Sequence, residues 1–197
     1  ARNSNLYALA GFDAKTFQDK VDVTTPPTVT DKNARVGMLG LHGDNRDNFG
    51  GGGLNSYALT GNFGDIDIRT PAALAADQFV PGPHTNGSFG KLGYHFGRLQ
   101  RVTERFALYG AINGQTASKN LDISEKMGLG GMYAVRAYPA GEAYADQGYI
   151  VNLEARLLLP RFSPRMAGQM HLVGFADTGS VTLNKSPWAA GDNHKTL

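Results

Sequence analysis

Strict alternation of apolar and polar residues, with no long apolar run, is the feature that most limits what this chain can fold into. It is clearest over residues 87–102, where Leu92, Tyr94 and Phe96 point one way while Lys91, His95 and three glycines point the other. A period of two over this length marks a strand with one apolar face. The same pattern predicts strands over 6–17, 33–43, 56–69, 106–116, 148–160 and 168–183, seven in all. In 6–17, Leu6, Ala8, Ala10 and Phe12 oppose Tyr7, Asp13 and Lys15. In 33–43, Val36 and Met38 oppose Arg35, with Leu39 and Leu41 blurring the alternation. In 148–160, Tyr149, Val151, Leu153 and Leu157 oppose Asn152, Glu154 and Arg156. The Thr24-Thr25-Pro26-Pro27 stretch cannot continue a central strand, and Pro71 to Asp77 suits a single helical turn.

The connections differ in length: long (70–86), short (103–105), long (117–147) and short (161–167). Outer-membrane barrels alternate long external loops with short periplasmic turns in this way. A soluble sandwich also alternates, but its second face would not carry Lys, His, Arg, Glu, Asn and glycine together. Those residues suit a wet lumen, and Tyr57, Phe89, Phe106 and Tyr149 at strand ends suit interfacial girdles. No apolar run approaches the roughly 18 residues of a membrane helix, the longest comparable stretch being Leu157-Leu158-Leu159. In hydrocarbon every backbone amide must be paired, which calls for a closed sheet. The fold expected is therefore all-β, an antiparallel transmembrane β-barrel fragment lying in outer-membrane lipid. The start and end of the chain read as mid-pattern, so an internal piece of a longer protein is expected.

Composition removes several function classes. There is no cysteine, hence no disulfide framework and no thiol nucleophile. A net charge of +2 with 18% charged residues is too balanced for nucleic-acid binding by bulk electrostatics. His171, Asp177 and Ser180 include the residue types of a catalytic triad, but six residues of extended strand hold His171 and Asp177 roughly 20 Å apart. Asp44 and Asp47 precede glycines as in a calcium loop, yet Asn55 stands where such a loop needs glutamate. His42 with Asp44 reads as a solvated loop edge. The Gly50–Gly53 run and the Gly128, Gly130, Gly131 cluster lack the setting of a phosphate loop. No enzyme activity, cofactor or metal site is expected.

The excursion at 117–147 holds a Gly130-Gly131 pair, then Val135-Arg136-Ala137-Tyr138-Pro139, then Gly141-Glu142. A surface loop has no evident need of one guanidinium flanked by Val, Tyr and Pro unless that group is inserted somewhere. Asp177, on an inward position of the last strand, would be a costly carboxylate unless solvated or paired, and an arginine fork is its best partner. Glu154, two residues before Arg156 on one face, is a second candidate partner.

These motifs resemble the lid-loop signature of the two-partner secretion transporters, the haemolysin secretion/activation family. There a Gly-Gly pair, Val-Arg-(Gly or Ala)-(Tyr or Phe), Gly-Glu and a strand with Leu-Glu-x-Arg follow in order. Ser118-Lys119-Asn120-Leu121, Ser124-Glu125-Lys126, Arg98-Leu99-Gln100 and Phe175-Ala176-Asp177-Thr178-Gly179 fit as well. The resemblance covers residues 87–180 well. It implies a barrel of roughly 16 strands, of which about seven lie here, with upstream periplasmic domains and the last strands outside this sequence. It implies that the loop folds into the barrel and that Arg136 contacts Asp177 as a latch, with Gly130, Gly131, Val135, Ala137, Tyr138, Gly141 and Glu142 as the loop motif and Phe175, Gly179 and Arg156 as the wall motif. Ala137 would strain the loop if its position required a positive φ. The function implied is outer-membrane export of a large partner exoprotein, of haemolysin or adhesin type. The alternatives are an outer-membrane protein insertion barrel and a soluble β-barrel binding a small ligand.

Overall fold

The computed structural model describes residues 3–21, 28–160 and 167–197. The Thr24-Thr25-Pro26-Pro27 break and most of the 161–167 turn lie outside them. Seven long antiparallel strands form one meander: β1 (Ser4–Val21), β2 (Thr28–Asp47), β3 (Gly53–Ile68), β4 (Gly87–Arg101), β5 (Phe106–Ala117), β8 (Gln147–Leu158) and β9 (His171–Thr182). A three-residue strand, β10 (His194–Thr196), pairs with the far side of β9. Between β5 and β8, β6 (Met127–Gly128) and β7 (Tyr144–Ala145) form a separate two-stranded ladder. Helix α1 (Pro71–Gln78) is longer than the single turn expected and starts with proline, whose missing N–H costs nothing at a first helical position.

All seven expected segments are strands, but the first two run further. β1 and β2 pair without interruption from Ser4 opposite Asn45 to Val21 opposite Thr28. Polar cross-strand pairs carry the ladder into the part expected to be a loop: Thr16 donates to Asn33 (3.2 Å) at the ends of the expected strands, and Gln18 donates to Asp31 (2.9 Å) beyond them. The 20 residues of β2 span roughly 65 Å, more than an apolar band about 25 Å tall requires, so this hairpin projects past it. At the opposite end, β2 and β3 are joined by a tight turn in which Gly50, Gly51 and Gly52 take φ values of 57°, 100° and 101°. Those left-handed angles explain the glycine run. The β8–β9 connection spans 159–170, longer than the 161–167 expected, although the Leu159 amide donates to the Met170 carbonyl (2.9 Å) and carries the pairing one step past the strand ends.

Register assigns the faces. The row Ala8–Leu41–Leu59–Tyr94–Gly114–Tyr149 and the row Leu6–Gly43–Tyr57–Phe96–Ile112–Val151 both face outward. Among the described residues, nothing is packed over outward residues such as Phe12 (72% exposed) and Phe63 (66%), consistent with the outer wall of a membrane barrel. The apolar band drifts across these rows. On β1 it is centred near Ala8 and Ala10, but on β8 near Leu153, which lies in the row of Gly110, Arg98 and Asn55. Such drift is what strands tilted to a barrel axis produce. It leaves the Arg98–Asp47 ion pair (2.6 Å) beyond one edge of the band and Arg35, Asp65 and Asp67 beyond the other.

Tyr57, Phe106 and Tyr149 face outward, but Phe89 does not. It has the parity of Lys91 and is 6% exposed among Ala34, Val36, Ile66, Ile68, Ala117 and Leu121, so the girdle role expected for it is wrong. Leu39 and Leu41 blurred the β2 pattern because they are its outward residues, while Val36 is apolar for packing inside. Among the described residues, both buried apolar clusters lie on the inner face. The second, formed by Leu129, Ala134, Val135, Ala143, Ala145, Ile150 and Val181, joins the 118–146 excursion to β8 and β9.

The two faces should therefore respond differently to charge. In the full-length parent reconstituted in bilayers, Leu59→Arg should lower folding stability by about 2–4 kcal/mol. Thr60→Arg, one residue on and facing inward, should cost far less. Urea midpoints for both variants check this, and equal losses would contradict the face assignment.

Candidate functional site

After β5 the chain leaves the sheet and is tied at once to its neighbours. Ser118 accepts from the Gly90 amide (2.9 Å) and Lys119 donates to the Asn86 carbonyl (2.7 Å). Asn120 donates to the Pro83 and Ser186 carbonyls and accepts from the Ser186 amide, pinning three connections together. Asp122 accepts from the Ser124 amide (3.1 Å) and opens a short 3-10 turn, 123–125. Inward lysines of the wall meet this segment: Lys32 of β2 pairs with Asp122 (2.9 Å), and Lys91 of β4 with Glu125 (2.8 Å). Lys126 pairs with the fully buried Asp146 (2.9 Å), which also accepts from the Leu121 and Lys185 amides. A buried carboxylate is tolerated only with such cover. At Asp122, burial pushes the carboxyl up, and Lys32 with the Ser124 donors outweighs it and holds the group below the usual range.

Beyond this root the loop doubles back on itself. Leu129 donates to the Ala143 carbonyl and accepts from the Val135 amide, and Gly131 donates to the Tyr138 carbonyl. Gly131 and Gly141 have φ of 110° and 88°. A Cβ on Gly130 would collide with the Pro139 carbonyl and lie 2.9 Å from the Glu142 Cβ. Glu142 pairs with Lys195 (2.6 Å). Ala137 has no positive φ, the one such non-glycine residue among those described being His84, so it carries no backbone strain. Tyr138 is 40% exposed, while Val135 is buried and sets its neighbour toward the wall.

That neighbour is Arg136. Its Nε and Nη2 donate to the two oxygens of Asp177 (2.7 Å each), its backbone amide adds a third bond to Asp177 (3.1 Å), and its Nη1 donates to Glu154 (2.5 Å). The other Glu154 oxygen accepts from Nε and Nη2 of Arg156 (2.8 and 2.6 Å). The Arg136 guanidinium carbon lies 4.0 Å from the centroid of the Phe175 ring, within cation–π range. Asn152 completes the arrangement by donating to Asp177 and to the Ala134 carbonyl (2.9 Å each). Two arginines thus face two carboxylates, and bidentate geometry gives the pair both strength and direction.

Strand geometry builds the receptor. Register places Asn152 opposite Asp177 and Glu154 opposite Phe175, all on the inner face. Phe175, Asp177 and Gly179 are successive inward positions of β9. The first supplies a ring, the second a carboxylate and the third a gap, because a Cβ on Gly179 would lie 2.6 Å from Leu129 Cδ1 of the loop. The other candidate groups do not converge. His42 Nε2 sits 3.3 Å from the Thr60 hydroxyl, Asp44 accepts from Asn5, and Ser180 accepts from Thr196. The root contacts Lys32–Asp122, Lys91–Glu125 and Lys126–Asp146 were not foreseen. Lys91 lies on the inner face that its parity predicts, whereas Lys32 belongs to β2 and not to the loop expected before residue 33.

Two substitutions separate the parts of this contact. Arg136→Ala should speed protease cleavage within residues 131–141 of the full-length parent by at least tenfold. Gly179→Val should do so with Arg136 intact, by displacing Leu129. Cleavage unchanged in both would mean that neither contact holds the loop.

Comparison with known proteins bears on what this arrangement is. A family model described as haemolysin secretion/activation protein ShlB/FhaC/HecB matches residues 69–191, which include the loop, β8 and β9. The heme/hemopexin transporter protein HuxB of Haemophilus influenzae is 34% identical over 113 residues, 56% of this chain and 19% of that protein. The HuxB proteins of strains 86-028NP and ATCC 51907 match to the same extent. The matched part spans about a fifth of the length of these relatives. No solved structure matches the chain. On this match, the chain belongs to the haemolysin secretion/activation family, the outer-membrane transporters of two-partner secretion.

Proposed function

We propose that residues 1–197 form part of the barrel of an outer-membrane translocase that exports a large partner exoprotein, of haemolysin or adhesin type, through its lumen. The 117–147 loop is the regulated obstruction of that lumen. The observation that carries this reading is the seating of Arg136 against Asp177 and Glu154 on the inner wall, in a loop belonging to a family of transporters. Recognition of the exoprotein falls to periplasmic domains upstream, and further strands of the parent complete the barrel beyond β1 and β10, since open edges are not tolerated in hydrocarbon. The wall's partner on its outer face is lipid.

The Arg136 contact suits a latch rather than a catalytic group. The two carboxylates beside it are both engaged in ion pairs, with Arg136 and, for Glu154, with Arg156, so the charges balance. Breaking a partly buried ion pair costs several kcal/mol when one partner is removed, but far less when both partners are rehydrated together. A loop held in this way is stable when closed and can still be released by a competing interaction.

The test is planar-bilayer conductance of the full-length parent, wild type against Arg136→Ala, with secretion of the partner exoprotein scored in parallel. The expected outcome is a channel with altered gating in the variant, together with impaired secretion. Unchanged gating and unchanged secretion would overturn the latch. Normal secretion with depleted outer-membrane proteins in a strain lacking the parent would point to a membrane-protein insertion role instead. Absence of any channel, with the parent soluble without detergent, would revive the ligand-binding barrel.

A further inference from the structure

On the outer face, one stretch of wall is set back from the rest. Gly110 of β5, Ala155 of β8, and Gly174 and Ala176 of β9 form the floor of a groove of about 580 Å³, beside Leu108 and Leu153. Register orders it: one row runs Arg98–Gly110–Leu153–Ala176 and the next Gln100–Leu108–Ala155–Gly174. The first row starts at the edge of the apolar band on β4 and reaches its centre on β8, so the groove runs from the interface into the apolar zone. Its interfacial end is polar and fixed. Arg98 donates to both oxygens of Asp47 (2.6 and 2.9 Å) and to the Asn55 side-chain carbonyl (2.7 Å), while Gln100 donates to the Phe49 and Gly50 carbonyls (2.9 and 3.0 Å). Of that ion pair the groove meets the guanidinium and not the carboxylate. The exposed Phe49 ring lies 6.0 Å from it.

We infer that this groove binds one phospholipid of the leaflet on the short-turn side, with an acyl chain laid along the Arg98-to-Ala176 row and the phosphate beside the Arg98 guanidinium. The inference rests on the reading of the outer face as lipid-facing and is independent of export. Hydrocarbon is as apolar as the wall, so burial alone gives a lipid no preference for one part of it. Preference comes from two features that meet here. A recess lets a chain touch wall atoms on several sides, and a fixed cation stands where the phosphate lies. The hydrogen bonds around Arg98 hold the guanidinium in place before lipid arrives, so little side-chain freedom is lost on binding. An aromatic ring at the band edge, here Phe49, suits the headgroup level. The occupant also backs the latch: Glu154 lies between Leu153 and Ala155, and Phe175 between Gly174 and Ala176, with their side chains on the inner side of the same strands.

Gly174 is the place to test the recess, because a Cβ there would meet nothing within 4 Å. The experiment is native mass spectrometry of the full-length parent in detergent, offered phosphatidylethanolamine and diacylglycerol with the same acyl chains. Wild type should retain phosphatidylethanolamine about tenfold more than diacylglycerol, the effect of one charge-assisted contact. Gly174→Leu should cut that retention by a similar factor, whereas Ala10→Leu, on the outer face of β1, should leave it unchanged. Arg98→Gln combined with Asp47→Asn removes both charges and leaves no unpaired carboxylate, and this variant should retain the two lipids alike. Undiminished retention in Gly174→Leu, or no difference between the two lipids in wild type, would overturn the site and leave the membrane reading standing. A parent that stays soluble without detergent and retains neither lipid would overturn the membrane reading itself.

Discussion

A carboxylate on the inner wall sets the terms for the rest of this structure. The Asp177 side chain is 2% exposed, and an anion so enclosed needs a cation and several donors. β8 supplies one donor, Asn152, but the cation comes from a segment 41 residues away in sequence. Much of the excursion is built to make that delivery. The left-handed glycines turn it, Val135 anchors it, and the Leu129–Ala143 and Gly131–Tyr138 bonds stiffen it so that Arg136 arrives with its fork facing β9. Preorganisation of this kind lowers the entropy lost when the ion pair forms.

Much of the wall was legible from residue order alone. Period two is a direct consequence of strand geometry, so the inward and outward residues of β4 and β8 follow from residue order alone. Where reading by residue type replaced reading by parity, it failed. Phe89 has a girdle-like composition and position, yet its parity puts it inside. Leu39 and Leu41 looked irregular because they line the outer face of β2, while Val36, of the opposite parity, is apolar for packing against the loop root inside. Polar residues also concealed strand: Asp31 and Lys32 read as loop, although cross-strand pairing with β1 carries them. The root ion pairs were invisible for another reason. Lys32 and Asp122 are 90 residues apart, and nothing local in either segment reports that the excursion folds inward at that level. The family motif pointed to Arg136, Asp177 and Glu154, and register then explains why Phe175 and Gly179 accompany them.

The loop is held at two places by different strands. Its root is tied by β2 and β4 and by buried carboxylates with backbone donors, and its tip is tied by β8 and β9 through side chains that retain some access to solvent. Pairs buried on both sides, with satisfied oxygens, resist ionic competition more than a pair whose cation, here Arg136, is partly exposed. Motion of the tip is thus easier than motion of the root, and a displaced tip would remain tethered inside the barrel.

The gap at Gly179 has a consequence for how such a displacement would proceed. Leu129 sits over Gly179 while Arg136 sits on Asp177, two residues along the same strand, and the bridge between Gly130 and Val135 couples the two loop positions. Neither contact can open far while the other stays closed. If the tip undocks as proposed, the apolar and ionic holds would break and reform as a single cooperative unit, the tip would switch between docked and undocked states without stable partial ones, and the rate of that switch would reflect the sum of both contacts rather than the weaker of them.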